Sequence, residues 1–390
     1  MLIVADESIL GIQATFEQFG EVRLVDGRTM DAAGVMDAAA LIVRSVTRVG
    51  AELLAGSRVR FVGTVTSGID HVDTAWLARQ GIVFASAAGC NARTVAEYVV
   101  GAILLLAERL DFDPREKVLG VVGVGRVGSR VAEFGEALGM RVLRFDPPLQ
   151  RLSGGGEYVA FRELAAAADI VTLHVPLTHE GEAATCDMVD SAWLAALKAG
   201  AVFINTSRGE VVCETDLAEA LSSGRMRAAV LDVWRNEPRV DEGLVRLADV
   251  ATPHVAGYSM EAKARGIAMI AEALAEFIGD STRTDHSDSR GESLAVGLEA
   301  TDHCAGDIML APGASCAEAV AQTVLRACDI PGVDAAFRQG VATMGLGVCF
   351  DKVRAACLAR REFAAYRVCG IACEDVAGEV LDRLGFQFAD

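Results

Sequence analysis

Five apolar residues, Val118 to Val122, run directly into Gly123, Gly125 and Gly128, spaced G-x-G-x-x-G, and a helix-like segment then continues to Leu138. Few folds tolerate that succession. The first glycine permits a tight turn, the second lets a backbone approach a pyrophosphate, and the third allows a helix to pack close against the strand. Phosphates then meet the positive end of the helix. Glycine triplets are weak evidence alone, but the next strand-like run, Arg141 to Phe145, ends in Asp146, eighteen residues past Gly128 (146 − 128). A carboxylate there accepts hydrogen bonds from ribose hydroxyls and repels a 2′-phosphate, which favours NAD over NADP. Arg144 is the nearby cation that could offset it.

Strand-like and helix-like runs alternate on both sides of this unit. Leu2 to Ala5, a helical Ile9 to Phe19, Ala40 to Val43 and Val59 to Val65 give one βαβ series. The second continues from Val118 through Ile170 to His174, Val202 to Asn205 and Ala229 to Val233. Thr94 to Glu108 reads as a helical bridge between them, and Met260 to Phe277 as a helix with Ile267, Ile270, Leu274 and Phe277 on one face. Gly279 to Glu292 is polar throughout and reads as a linker or exposed loop. Beyond it, Tyr366 to Ile371, Glu374 to Leu384 and Phe386 to Phe388 read as strand, helix and strand of a small separate α+β module.

Bulk composition narrows the function. At 390 residues the chain exceeds what one core supports, so two or three domains are expected. The N-terminal MLIVADESIL has no basic residue ahead of a long apolar run and reads as a first strand, not a secretory signal. The apolar stretch Tyr98 to Ala107 is too short to span a bilayer. Ten cysteines fall in no paired or metal-ligating spacing, which suits reduced thiols in cytoplasm and no metal site. A net charge of −18 argues against nucleic acid or an anionic membrane as partner, so an anionic substrate needs a local basic pocket.

Oxidising a hydroxy acid requires a cation for the carboxylate, a base for the hydroxyl proton, and a group to tune that base. Arg208 follows the strand Val202 to Asn205 in INTSRGE, at the end where open α/β sheets present ligands, and its fork suits a carboxylate. Glu237 in VLDVWRNEP and His254 in VATPHVAGY each follow a strand, seventeen residues apart (254 − 237). A carboxylate on one ring nitrogen fixes the tautomer and leaves the other nitrogen for substrate. His71, His174, His179, His286 and His303 lack such a partner pattern and read as structural or surface residues.

GVVGVGRVG, LHVPLT, KAGAVFINTSRGE, LDVWRNEP and TPHVAGY occur in the order found in the D-isomer-specific 2-hydroxy-acid dehydrogenases, which this chain resembles across residues 118 to 258. The resemblance implies catalytic roles for Arg208, Glu237 and His254. It also implies cofactor contacts at Gly123, Gly125, Arg126, Val127, Gly128, Asp146, Val175, Thr206, Asp232 and Gly257. LIVRSVTRV, FVGTVTSGIDHVD, GCNARTVAEYV and GYSMEAKARG resemble a branch acting on a small phosphorylated hydroxy acid, implying substrate contacts at Ser45, Thr66 and Tyr258. FDKVRAACLARREFAAYRV, 350 to 368, resembles that branch's dimerisation region and implies a homodimer. There Phe350, Val353, Cys357 and Leu358 share a helical face, while Lys352, Arg354, Arg360 and Arg361 read first as a solvated face and second as a phosphate contact.

The expected architecture is therefore α/β, two Rossmann-like doubly wound parallel-sheet domains plus a small C-terminal α+β dimerisation domain. Its parts are a substrate-binding domain at 1–93 completed by 258–280, an NAD-binding domain at 94–257, and a linker with dimerisation domain at 281–390. Cys213 stands where the family usually has aspartate, TCDMVD departs from the usual Thr-x-His-Leu, and 281–349 matches poorly. Oxidation of phosphoglycerate or glycerate, or an NADH-responsive corepressor role that retains the same triad, remain open alternatives.

Overall fold

Short apolar runs, several buried along their whole length, build the sheets of this protein. The computed structural model describes residues 1–154, 157–282, 305–310 and 313–389. Much of the polar stretch expected to be a linker thus lies outside the described residues. Continuous burial is the mark of a parallel strand covered on both faces. Ala40–Val43, Phe61–Thr64, Ile170–Leu173 and Ala201–Asn205 are buried at every position.

Chain contacts divide the molecule into two units, Met1–Asn91 with Glu261–Asp302, and Ala92–Met260 with His303–Asp390. The first holds β1 (Leu2–Asp6), β2 (Glu21–Val25), β3 (Ala40–Val43), β4 (Phe61–Thr64) and β5 (Val83–Ser86), in the parallel order β2-β1-β3-β4-β5. The anticipated helix at Ile9 to Phe19 is shorter, an α-turn at Ile12–Phe16 followed by a 3₁₀ turn at Glu17–Phe19. Ile267, Ile270 and Leu274, from the helix Met260–Thr282, are buried against this sheet's core with Phe277 packed alongside, as their spacing required.

The second unit holds β6 (Val118–Val122), β7 (Arg141–Phe145), β8 (Ile170–Leu173), β9 (Ala201–Asn205), β10 (Met226–Leu231) and β11 (Val250–Ala251), in the parallel order β11-β10-β9-β8-β6-β7. Its longest buried helix, Ala92–Leu110, is covered from Thr94 to Ala107.

A third parallel sheet, order β12-β13-β14, is formed by β12 (Gly306–Met309), β13 (Tyr366–Cys369) and β14 (Gln387–Phe388), with the helix Val376–Leu384 crossing between the last two. The sequence reading missed β12. Nor does this tail have a core of its own: Ile308, Val324, Val368, Leu381 and Phe386 belong to the hydrophobic cluster that also contains Val99, Ile103, Leu119 and Phe134.

Helix ends follow the local chemistry. Ser315 and Glu318 form a reciprocal capping box at the start of Cys316–Cys328. The helix Leu346–Ala356 stops before Cys357, and a 3₁₀ turn follows. Leu358 is therefore 44% exposed, and the apolar face expected through 358 ends with buried Phe350 and Val353.

Candidate active site

The glycine turn adopts the shape its spacing demands. Gly123 has φ +83°, and a Cβ added to Gly128 would lie 1.9 Å from the Gly123 carbonyl oxygen. Beside Gly125 that space is open, with no atom within 4 Å of an added Cβ. The helix Arg126–Ala137 begins there without a side-chain cap, so its first amides point into open space. An uncapped helix start beside an unfilled gap fits a dinucleotide pyrophosphate. Asp146 follows β7 and caps the helix Pro147–Ser153, accepting from Leu149 N at 2.9 Å and Val124 N at 2.8 Å. It thus holds the glycine turn while each oxygen keeps a second lone pair. Arg144 pairs with Glu136 at 2.7 Å and so does not stand open to a 2′-phosphate.

Val175 packs beside Gly123, and Thr206 lies 3.4 Å from His174 Nδ1. Desolvation pushes His174 down to about 3, so the ring is neutral, and among the described residues its hydrogen-bond partners are Thr172 and Thr206. That agrees with the structural reading of His174.

His254 and Glu237 meet. Nδ1 of His254 lies 2.7 Å from Glu237 Oε2, and Glu237 Oε1 accepts from Trp234 N at 2.9 Å. Burial alone would raise the Glu237 carboxyl; the charge and hydrogen bond of His254, with help from the Trp234 amide and the charge of Arg354, hold it below its ordinary value. His254 sits at φ 57°, a left-handed backbone that costs of order 1 kcal/mol and must be held by its surroundings. Asp232 supplies the hold. Its carbonyl accepts from His254 N at 2.6 Å, and its carboxylate accepts from Thr252 Oγ1 at 2.6 Å, Val255 N at 2.8 Å and Ala256 N at 2.8 Å. Asp232 is 1% exposed, and burial raises its carboxyl despite the pull of His254 and these donors. Tyr98 from the long buried helix and Trp234 extend the support through Thr252, at 2.6 and 2.9 Å.

Arg208 follows β9 on a turn fixed by Asn205, whose side chain bonds the Arg208 carbonyl, Ser207 N and Ser207 Oγ. The next residue must be small, because a Cβ on Gly209 would lie 1.9 Å from the Trp234 carbonyl carbon. Close backbone approach thereby brings the Arg208 turn against the loop that carries Glu237. Gly257 and Tyr258 follow His254 in the same loop, and Tyr258 accepts a hydrogen bond from Arg354 at 2.5 Å.

Ser45 and Thr66 lie in the other unit, just past the ends of β3 and β4. Thr66 Oγ1 is 2.8 Å from Thr64 Oγ1, which is 3.1 Å from His71 Nε2. Cys213 caps the helix Glu214–Ser222 by position only: its thiol lies 3.2 Å from Thr215 Oγ1, and it makes no capping bond to a first-turn amide. Aspartate there would accept from a first-turn amide, so the departure removes about 1 kcal/mol of helix capping. Among the described residues no His, Cys, Asp or Glu cluster could hold a metal, nine cysteines are free, and no helix is long and apolar enough to cross a membrane.

Sequence reasoning missed Thr252, Tyr98 and Trp234 as supports. Thr252 could have been found two residues before His254, but Tyr98 is 154 positions away from it and leaves no local signal.

Comparison with known proteins shows the family and the fold. Residues 106–256 match the family described as D-isomer specific 2-hydroxyacid dehydrogenase, NAD binding domain. A protein of Escherichia fergusonii named erythronate-4-phosphate dehydrogenase is 40% identical over 387 residues, covering 99% of this chain and 98% of the relative. One of Edwardsiella ictaluri with the same name is 48% identical over 279 residues, 72% of this chain and 74% of the relative. The chain belongs to the D-isomer-specific 2-hydroxy-acid dehydrogenases, in the branch that contains these relatives. Solved structures show the same fold. A D-lactate dehydrogenase of Aquifex aeolicus complexed with NAD and lactic acid gives a TM-score of 0.58 at 24% identity, covering 72% of this chain and 96% of that one. A formate dehydrogenase of Staphylococcus aureus in complex with NAD gives 0.61 at 24% identity, covering 75% and 100%.

Proposed function

We propose that the protein oxidises 4-phospho-D-erythronate to (R)-3-hydroxy-2-oxo-4-phosphooxybutanoate with NAD, a step toward pyridoxal 5′-phosphate (vitamin B6). The observation that carries this is the 2.7 Å contact of His254 Nδ1 with Glu237, in a chain 40% identical over 387 residues to a protein named for that activity.

Glu237 accepts the Nδ1 hydrogen and fixes the tautomer, so Nε2 of His254 takes the proton of the 2-hydroxyl. Bound NAD supplies the hydride acceptor for carbon 2. Arg208 holds the substrate carboxylate through its planar fork. Ser45, Thr66 and Tyr258 contribute hydroxyls to a polyhydroxylated chain. The open space beside Gly125, the uncapped helix start and Asp146 hold the dinucleotide, with Arg126, Val127, Val175, Thr206, Asp232 and Gly257 lining it. We further assign the protein to the cytoplasm, in keeping with its nine free described cysteines, and to a homodimer formed through the C-terminal region, in keeping with the resemblance of 350–368.

NADH formation across 4-phosphoerythronate, 3-phosphoglycerate, glycerate and lactate tests this reading. The first is expected to give the highest kcat/KM, and His254→Asn to lower kcat by about 10²- to 10⁴-fold. Faster turnover of 3-phosphoglycerate, or a variant with wild-type kcat, rejects it.

A further inference from the structure

The tail brings a cation to the catalytic loop. The helix Ile330–Met344 docks on β11, where Asp334 accepts from Ala251 N at 2.8 Å and Arg338 donates to the carbonyls of Val245 and Ala248 at 2.5 and 2.7 Å. Phe337 packs on Trp234 at 6.2 Å and on Phe350 at 5.9 Å, which fixes the next helix, Leu346–Ala356, beneath the loop that carries Glu237. Arg354 on that helix lies over the Tyr258 ring, 5.2 Å from its centroid, and over Phe350 at 5.5 Å, with Nη2 donating to the Tyr258 hydroxyl. Tyr258 follows His254 by four residues (258 − 254), so the guanidinium meets the loop that carries the catalytic histidine, and its charge helps hold the Glu237 carboxyl down.

Arg354 is under-used where it sits. Its Nε is buried without a hydrogen-bond partner, and among the described residues no carboxylate lies within ion-pair distance of it. A buried, unpaired donor of this kind costs free energy unless a ligand satisfies it. Its basic neighbours are differently placed. Arg360 donates to the carbonyls of Ala256 and Thr94, and Lys352 is exposed beside Met344. In a chain with net charge −18, a dianion needs a local cation, and a guanidinium matches phosphate better than a point charge does.

We propose that Arg354 reads the phosphate of the substrate, so that the tail sets specificity for phosphorylated over unphosphorylated 2-hydroxy acids. This rests on the substrate reading above for the identity of the acid, but not for its phosphate. Arg208 holds the carboxylate at one end and Arg354 the phosphate at the other, leaving carbon 2 beside His254.

Steady-state kinetics and isothermal titration of the NAD-bound protein test it, using wild type, Arg354→Met and Arg354→Lys. Methionine keeps the packing on Tyr258 and Phe350 without the charge. Arg354→Met is expected to lower kcat/KM for 4-phosphoerythronate by about 10²-fold, mainly through KM, and to weaken inorganic phosphate binding at least 10-fold, with Arg354→Lys intermediate. Unphosphorylated D-erythronate, which shares the Tyr258 and Glu237 contacts but has no phosphate, is expected to lose at least tenfold less in kcat/KM than 4-phosphoerythronate does. Equal losses for both acids would mean that Arg354 serves only the shared machinery, and that overturns the proposal. So does phosphate binding that is unchanged in the variant or undetectable in wild type. Turnover of a different phosphorylated acid, with phosphate binding still dependent on Arg354, defeats the substrate reading and leaves this assignment standing.

Discussion

The two large sheets share one connectivity and differ in the turn after their first strand. The first runs β2-β1-β3-β4-β5; the second, read from β7, runs β7-β6-β8-β9-β10-β11, the same winding with one strand added. After β6 the chain turns through Gly123 and Gly125 into a helix of 12 residues, leaving open space and uncapped amides. By contrast β1 ends on Asp6, which is 0% exposed, and only a five-residue helix follows. Arg44 holds that carboxylate at 2.8 and 3.1 Å, and Ser8 N donates to it at 2.9 Å. A charged, fully engaged acid there closes the position that glycine leaves open in the second unit. Winding therefore fixes where a ligand can lie, and a few residues of turn chemistry decide whether one does.

Substitutions at two glycines can break that contrast most sharply. Gly128→Ala forces backbone apart, since the new Cβ would meet the Gly123 carbonyl oxygen at 1.9 Å. It is expected to cost about 2 to 3 kcal/mol of stability and to weaken NAD binding about 100-fold. At Gly125 nothing lies within 4 Å of an added Cβ, so Gly125→Ala is expected to fold with stability within about 0.5 kcal/mol of wild type. It nonetheless intrudes on the open space and is expected to weaken NAD at least 10-fold. Calorimetric NAD titration beside thermal melts separates the two effects. Unchanged NAD affinity in Gly125→Ala would mean that the space is not a phosphate cradle.

In the first unit the expectation reverses. Arg44→Met leaves the Asp6 carboxylate buried without its cation and is expected to cost about 2 kcal/mol, the partial exposure of Arg44 keeping it below the cost of a wholly buried pair. NAD affinity of the folded fraction is expected to stay within about twofold. Denaturant unfolding with a parallel NAD titration reads both, and a large loss of NAD affinity would erase the distinction between the two turns.

Legibility followed the same division. Where a pattern is local in sequence, its placement was readable: the glycine spacing, Asp146 after β7, and Glu237 and His254 after successive strands all stand where period and turn chemistry put them, and the roles proposed for them rest on that placement. What depends on distant packing was not. Asp232, expected to touch cofactor, also spends its carboxylate on the His254 loop, which no spacing announces. The basic set at 352 to 361 read first as a solvated face, yet Arg360 is tied to Thr94, 266 positions away, and Arg354 to Tyr258, 96 away. Amphipathic period reports that a face is polar, not which carbonyl or phenol it will meet. The tail read as a separate module because its strand-helix-strand pattern is locally complete, while the cluster it shares with Val99 and Leu119 is a property of the fold.

Buried acids allow the finest comparison. Asp6 has both oxygens on Arg44, whereas Glu97, also 0% exposed, has Oε1 on Arg93 and Phe363 N, each at 3.0 Å, and Oε2 without a partner. Burial, reinforced by the nearby Glu362 and opposed by Arg93 and Arg360, raises the Glu97 carboxyl from 4.5 to about 8. Between those two values the folded protein holds a proton that the unfolded chain has released, so stability falls as pH rises through the window and levels off above it. The Glu97→Gln variant keeps the shape and removes the titration. The difference in unfolding free energy between wild type and variant is expected to shift against wild type by about 1 to 2 kcal/mol from pH 5 to pH 8, measured by urea unfolding. Taking the difference cancels the slopes contributed by Glu237, Asp232 and the other groups that do not interact with Glu97, leaving Glu97 with its neighbour Glu362. Parallel pH profiles would mean that Glu97 carries no raised pKa, and that one arginine nitrogen satisfies a buried acid as well as two.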